Sequence, residues 1–220
     1  MRKLVPKIIL EGTRLTGKTE VAFALNEHPR FVGPRRYRYH SPVISAEWGS
    51  FTNTPWGRGL INFEPHEAER ALETYRTWLK LFQLQPYCSW IVDRFHLSTQ
   101  MVQWRTHQTR YDFSWLEKGL AQLNFRLVVL HRSHESFAKA REERLRVSAN
   151  PSQYDDLHVF FQEQDLILEL AKHSNLMRME LDISHLNTAA VVESIVDWMD
   201  QTGGLFLSSE FESIPSPKEF

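Results

Sequence analysis

The sequence has little cysteine, no long apolar run and no excess of charge of either sign. Its 220 residues include one cysteine, Cys88, which excludes an internal disulfide and a zinc site built from paired thiols. Lys+Arg 26 against Asp+Glu 27 gives a formal net charge of -1, so no global positive field favours nucleic acid or a membrane surface as partner. The longest apolar runs, within 7–10 and 127–130, are too short to span a membrane. We therefore expect a soluble protein of a reducing compartment, with the cytoplasm as default.

Short β-rich runs alternate with stretches of helical spacing, a pattern typical of a mostly parallel sheet covered by helices on both faces. The pattern predicts strands at 7–10, 37–44, 90–93, 125–131 and 177–181. It predicts helices at 18–26, 65–82, 97–106, 133–146, 153–173 and 188–199. No composition shift divides the first 202 residues, so we predict an α/β fold in three layers, with one domain over 1–202 and a flexible tail over 203–220.

The most specific motif lies between the first predicted strand and the first predicted helix. It satisfies G-x-x-x-x-G-K-[ST] at every specified position, and its residues are Gly12, Thr13, Arg14, Leu15, Thr16, Gly17, Lys18 and Thr19. A glycine-rich loop that opens a helix directs backbone N–H groups and the helix N-terminus at one point, where a phosphate is stabilised. Lys18 would reach the β- and γ-phosphates, and the Thr19 hydroxyl would bind Mg²⁺. The motif predicts binding of ATP with Mg²⁺.

A carboxylate and a guanidinium follow the third predicted strand, as Asp93 and Arg94. Open α/β sheets bind ligands at the carboxyl ends of their strands, so both side chains are candidates for the reaction centre. Asp93 would hold Mg²⁺ or accept a substrate proton, and Arg94 would bind an acceptor phosphate or neutralise developing charge. A structural Asp–Arg pair that caps the following helix is the alternative.

These motifs resemble those of the thymidylate and deoxynucleoside kinases. The thymidylate kinase signature D-R-[YF]-x-x-S-x-x-A-Y-Q is matched at Asp93, Arg94, Phe95, Ser98 and Gln103, and departs at Met101 and Val102. The opening 11–19 is similar to the family's E-G-x-D-x-x-G-K-[ST], with Arg14 in place of the aspartate. The resemblance covers roughly 7–200 and implies the P-loop kinase fold. It also implies transfer of the ATP γ-phosphoryl group to a nucleoside or nucleoside monophosphate, and a homodimer.

The same resemblance implies further site residues. A lid near 141–153 would bring Arg141, Arg144 or Arg146 over the donor phosphates; alternatively, these arginines form a solvated helix face. Glu47 is a candidate base for a sugar hydroxyl, with Glu64 as another. Gln103 would bond a base edge, and Phe63 would stack on a base unless it belongs to the core.

Two other functions remain open at this stage. Arg14 and the unusual loop 49–62, which either lines a pocket or connects elements at the surface, are consistent with a kinase of another small acceptor. Arg14 and the tail are also consistent with a nucleotide-binding module that a partner senses and that turns over slowly or not at all.

Overall fold

The core of the protein is a single sheet of five parallel strands in the order β2-β3-β1-β4-β5. The computed structural model describes residues 3–33, 43–54 and 57–207. The strands are β1 (Lys7–Glu11), β2 (Val43–Ser45), β3 (Trp90–Asp93), β4 (Arg126–His131) and β5 (Met177–Asp182). Since β1 lies between β3 and β4, the loop that follows β1 begins in the middle of the carboxyl edge of the sheet.

The central strands are apolar on both faces because both faces are covered. In β1, Ile9 packs into one apolar cluster while Ile8 and Leu10 pack into another on the opposite face, and all three side chains are fully buried. This alternation follows from the two-residue period of a strand. The predicted three-layer α/β fold with a five-stranded sheet is confirmed, and every strand pair in it is parallel.

Helices form the two outer layers. They are α1 (Lys18–Glu27), α2 (Pro29–Val32), α3 (Ala68–Leu84), α4 (His96–His107), α5 (Ser114–Gln122), α6 (His134–Leu145), α7 (Leu157–Lys172) and α8 (Thr188–Gln201). Short 3₁₀ turns precede α3 and α7, at Pro65–Glu67 and Pro151–Tyr154. The first lies within the helix predicted at 65–82, and the second overlaps the start of the helix predicted at 153–173. None of the helices in the described ranges combines the length and apolar composition of a membrane span.

The sequence analysis missed α5. Gly119 lowers the helix propensity of this short segment, and tertiary packing overrides that propensity. A Cβ at Gly119 would lie 2.8 Å from Leu79 Cδ2, so the glycine lets α5 pack closely against α3.

Two predicted boundaries differ from the structure. Residues 203–207, assigned to the flexible tail, are part of the fold: Val5 N donates to Leu205 O at 2.9 Å, and Leu207 N donates to Lys3 O at 2.9 Å. Burial of Leu205 and Leu207 explains why this segment packs. The rest of the predicted tail, 208–220, lies outside the described residues. So does 37–42, most of the predicted second strand, of which the described part is β2.

Candidate active site

The loop from Gly12 to Thr19 connects β1 to the first turn of α1, and its backbone conformation requires glycine at both Gly12 and Gly17. Gly12 has φ +146°, and a Cβ there would lie 2.4 Å from the carbonyl oxygen of Leu130 in β4. Gly17 has φ +65° and is the N-cap of α1. Because glycine has no side chain, no side-chain cap occupies the amides of the first turn. Leu15 also adopts a left-handed conformation, with φ 67°. The loop therefore turns tightly onto the N-terminus of α1, as an anion-binding loop does.

The Lys18 ammonium is buried inside this loop. It donates to the carbonyl oxygen of Thr13 at 2.7 Å and to Thr16 Oγ1 at 3.2 Å. Burial is the main reason that the pKa of Lys18 falls from 10.5 to about 8, and the nearby Arg94 charge lowers it further. The carboxylates of Asp93, Glu47 and Glu11 act in the opposite direction. Lys18 thus loses its proton far more readily than an exposed lysine does.

This lowered pKa predicts proton uptake when MgATP binds. Phosphate charges next to the ammonium raise its pKa, so a neutral Lys18 gains a proton on binding. Because the free-state pKa is about 8, we expect proton uptake that is clear at about pH 8.5 and small at about pH 7. Affinity then falls as pH rises above about 8.

Calorimetric titration with MgATP in buffers of different ionisation enthalpy measures this uptake. Lys18→Ala serves as the control, because it removes the titrating group. Uptake of the same size in Lys18→Ala would show that another group gains the proton.

Thr19 and Asp93 meet at the carboxyl edge, where a divalent cation would bind. Thr19 Oγ1 donates to Asp93 Oδ2 at 2.6 Å. Within the described part of the chain, Asp93 Oδ1 is buried without a hydrogen-bond partner. A hydroxyl and a carboxylate with an unpartnered buried oxygen are the hard oxygen ligands that Mg²⁺ prefers. The donor set therefore fits Mg²⁺ that is shared with nucleotide phosphates.

The backbone of Arg94 is strained, and its hydrogen bonds connect the ends of three strands. Its φ is 60°, in the left-handed region that an arginine rarely adopts. Arg94 N donates to the carbonyl oxygen of Leu10 at 2.9 Å, and Arg94 O accepts from Ala46 N at 3.1 Å. These bonds link the end of β3 to β1 and to the residue after β2, which compensates the strain. Strain of this kind is concentrated at functional sites.

The Arg94 side chain is buried and contacts Glu47, which follows β2. Arg94 Nη1 lies 3.2 Å from Glu47 Oε1. Burial raises the pKa of Glu47, but the guanidinium of Arg94 and the Lys18 charge lower it more. Arg14 and Arg144 act in the same direction, so the pKa of Glu47 lies below its usual value of 4.5. The structure thus brings the predicted residues Glu47, Lys18 and Arg94 together with two further cations.

Two of the three predicted lid arginines, Arg141 and Arg144, have different surroundings. Arg141 Nε donates to the carbonyl oxygen of Tyr154 at 2.6 Å, inside the segment between α6 and α7. Arg144 Nε donates to the Tyr154 hydroxyl at 3.2 Å, and its Nη1 lies 3.7 Å from Glu20 in the first turn of α1. Arg144 therefore reaches the helix that begins at the P-loop, while Arg141 binds within the lid segment.

Gln103 and Phe63, the predicted base-binding residues, are both fully buried. Gln103 Nε2 donates to the carbonyl oxygens of Ile61 at 3.2 Å and Phe63 at 2.9 Å. Among the described residues, Gln103 Oε1 has no partner, so the amide is fixed with its acceptor free. Phe63 packs in the core, edge to face with Tyr111 at 5.3 Å between ring centroids.

Sequence reasoning missed the role of Glu11, the last residue of β1. Its Oε1 accepts from the amides of Phe95 and Leu97, both at 3.0 Å, and from the amide of Ser98 at 3.3 Å. Its Oε2 accepts from Ser98 Oγ at 2.5 Å. Glu11 thus occupies the positive N-terminus of α4. A carboxylate at the end of a buried strand was the available signal, since such a charge needs a partner.

Glu163 was also missed. It lies on the buried face of α7 with Phe160 and Ile167, and its carboxylate accepts from Thr13 Oγ1 at 2.5 Å. A carboxylate on the apolar side of an amphipathic helix was the signal that could have identified it.

Comparisons with known proteins identify solved structures with a similar fold. No protein-family model and no curated protein sequence matches the chain. The YorR protein of Bacillus subtilis, solved with phosphorylated GDP, is 17% identical, with a TM-score of 0.60 over 89% of this chain and 96% of its own. Thymidylate kinase from Candida albicans is 15% identical, with a TM-score of 0.54 over 91% of this chain and 93% of its own. Deoxyadenosine kinase from M. mycoides with bound dCMP is 12% identical, with a TM-score of 0.50 over 89% and 99%.

Identities this low carry information about the fold, and not about the substrate. The matches nevertheless cover nearly the whole length of both partners in each pair. The resemblance found in the P-loop and Asp-Arg-Phe motifs is therefore confirmed at the level of structure: the chain has the fold of the P-loop nucleotide and nucleoside kinases.

Proposed function

We propose that this protein is a kinase that transfers the γ-phosphoryl group of MgATP to the phosphate of a nucleoside monophosphate. The observation that carries the proposal is the cationic surrounding of Glu47, next to a P-loop in which Lys18 is buried and Thr19 is bonded to Asp93. The donor and acceptor halves of this site are argued separately below.

The donor half rests on the loop 12–19 and on Asp93. The loop and the N-terminus of α1 would hold the β- and γ-phosphates, with Lys18 as the buried cation. Thr19 and Asp93 Oδ1 would hold Mg²⁺, which would neutralise charge that develops on the phosphates. Arg144, already within 3.7 Å of Glu20 on α1, is the lid arginine best placed to contact the transferred group. These residues act by position and charge, which is most of what phosphoryl transfer requires.

The residues of the acceptor half favour an ionised phosphate oxygen over a nucleoside hydroxyl as the group that receives the phosphoryl group. A nucleoside hydroxyl requires a base, and the pKa of Glu47 is lowered by four nearby cations while Arg94 occupies its carboxylate. Glu47 is therefore a weak base. A phosphate acceptor is already ionised at neutral pH, needs no base, and binds an arginine in a bidentate manner. We accordingly assign Arg94 to the acceptor phosphate, and Glu47 as its partner when no acceptor is bound.

The structural neighbours support a nucleotide as ligand. YorR was solved with phosphorylated GDP, and the M. mycoides enzyme with its products dCMP and dCDP, so both neighbours bind nucleotides. The unpartnered Oε1 of Gln103 supports a base with a hydrogen-bond donor on that side, provided that loop 61–63 opens to admit it.

The proposal is tested by ADP formation with MgATP across a panel of nucleosides and nucleoside monophosphates. Turnover that depends on one monophosphate is the expected result. Turnover with a nucleoside alone contradicts the acceptor assignment. ATP binding without turnover on any acceptor supports a nucleotide-sensing module, or a kinase of another small acceptor selected by Arg14.

Glu47→Gln separates the two acceptor classes. If the acceptor is a phosphate, we expect kcat to remain within about threefold, because the variant removes only the resting partner of Arg94. If the acceptor is a hydroxyl, loss of the base lowers kcat by roughly 10²-fold or more. Steady-state kinetics at saturating ATP make this comparison.

The matched control is Glu193→Gln. Glu193 is a carboxylate on α8 that is 58% exposed and ion-paired with His28 at 3.0 Å, away from the P-loop motif. The Glu193→Gln variant should have an unchanged kcat with either acceptor.

A further inference from the structure

Glu163 is a buried carboxylate that connects three elements around the P-loop. The side chain lies on α7, accepts from Thr13 Oγ1 at 2.5 Å through Oε2, and accepts from Arg105 of α4 through Oε1. Thr13 is fully buried and Glu163 is 5% exposed. Neither Glu163 nor Arg105 belongs to a motif, and neither lies in the loop that would hold ATP.

Thr13 is bound at both its side chain and its carbonyl group. Its hydroxyl donates to Glu163, while its carbonyl oxygen accepts from Thr16 Oγ1 at 2.8 Å and from Lys18 Nζ at 2.7 Å. The orientation of the Thr13 peptide therefore determines where the Lys18 ammonium rests. A β-branched side chain has few rotamers, so fixing its hydroxyl also fixes the adjacent backbone.

We propose that Glu163 is a positioning residue for the ATP site: through Thr13 it holds the P-loop in the conformation that receives the phosphates. This inference rests on the proposed kinase function. Arg105 contributes by neutralising the buried carboxylate, and the charge on Glu163 strengthens the bond from the Thr13 hydroxyl. The effect is indirect, since Glu163 contacts the loop and not the reacting groups.

A second contact, made by Leu15, connects the loop to α7 and to the neighbouring helix α6. Leu15 packs against a small apolar cluster formed by Phe137 of α6, Phe160 of α7 and Tyr154 between these helices. Residues 13 and 15 of the P-loop are thus both attached to the helices that flank the predicted lid. A shift of α7 is transmitted to the loop at two points.

The test uses the two ends of the hydrogen bond. Glu163→Gln replaces one acceptor oxygen with an amide nitrogen, a donor that faces the donors of Thr13 and Arg105. Thr13→Val removes the hydroxyl and keeps the shape of the side chain. For each we expect about a tenfold rise in the MgATP Kd and in KM for ATP, with acceptor KM within about twofold. Thr13→Ser keeps the hydroxyl and should restore the Kd to within about twofold of wild type. The double variant should have a MgATP Kd no higher than that of the single variant with the lower affinity.

Gln164→Leu is the matched control, since it is the neighbouring residue and equally buried at 5% exposure. Gln164 bonds the backbone N and O of Arg132, both at 2.9 Å, and forms no hydrogen bond with the P-loop among the described residues. It should lower the melting temperature while the MgATP Kd stays within about twofold.

The outcomes separate the two proposals. If Glu163→Gln and Thr13→Val lower only the melting temperature, as Gln164→Leu does, Glu163 is merely structural. Additive losses in the double variant would also overturn the inference, because the two residues would then act independently. Failure of the wild-type protein to bind MgATP in calorimetry contradicts the proposed function itself, whatever the variants do.

Discussion

Lys18→Ala should lower kcat by roughly 10³-fold. The Lys18 ammonium is buried in the P-loop, where it is held by the carbonyl of Thr13 and the hydroxyl of Thr16. Because water is excluded there, its charge on the transferring phosphoryl group is poorly screened and cannot be replaced by solvent. ADP formation at saturating ATP and acceptor measures the loss.

The control is Lys80→Met, which removes an exposed lysine on α3. It should leave kcat and the melting temperature unchanged. A Lys18→Ala variant that keeps more than a tenth of the wild-type kcat would mean that the loop does not hold the transferred phosphate.

Asp93→Asn should reduce kcat by about 10²- to 10³-fold and increase the Mg²⁺ concentration needed for half-maximal activity. Asp93 has one carboxylate oxygen bonded to Thr19 at 2.6 Å, and the other is buried without a partner within the described ranges. An amide keeps the shape and the bond from Thr19, but it removes the charge that attracts the cation. Activity measured across a Mg²⁺ titration separates metal affinity from the chemical step.

Asp197→Asn is the corresponding control, since Asp197 is 55% exposed and ion-paired with Arg30 on the surface. It should shift neither kcat nor the Mg²⁺ requirement. An Asp93→Asn variant with an unchanged Mg²⁺ titration curve would place the metal elsewhere and leave Asp93 as a structural residue.

The proposed donor half of the site could be located from the sequence because its requirements are local. Gly12 and Gly17 are fixed by backbone conformation, and Lys18 and Thr19 follow at set spacing in the same loop. The buried strand β3 likewise ends at Asp93, so its position at the carboxyl edge follows from the sheet alone. Local motifs of this kind can be interpreted without knowledge of the remaining fold.

The acceptor half and the supporting residues depend on contacts that no motif encodes. Glu163 lies 150 residues from Thr13 along the chain, and their pairing exists only once α7 has packed. Gln103 was assigned to a base edge, but the sequence does not reveal that its amide nitrogen is bound to loop 61–63. The role of Glu47 depends on the convergence of charges from several elements, which spacing alone does not predict.

The Glu11 contacts constrain how this protein can be altered. One carboxylate ends the strand that carries the ATP loop and also holds the first turn of the helix that follows Asp93 and Arg94. The two halves of the site are therefore not separable modules. A chimera that exchanges the segment 90–107 for that of a protein with the same fold should fold and keep the proposed activity only if the incoming helix presents a hydroxyl equivalent to Ser98 to the resident Glu11.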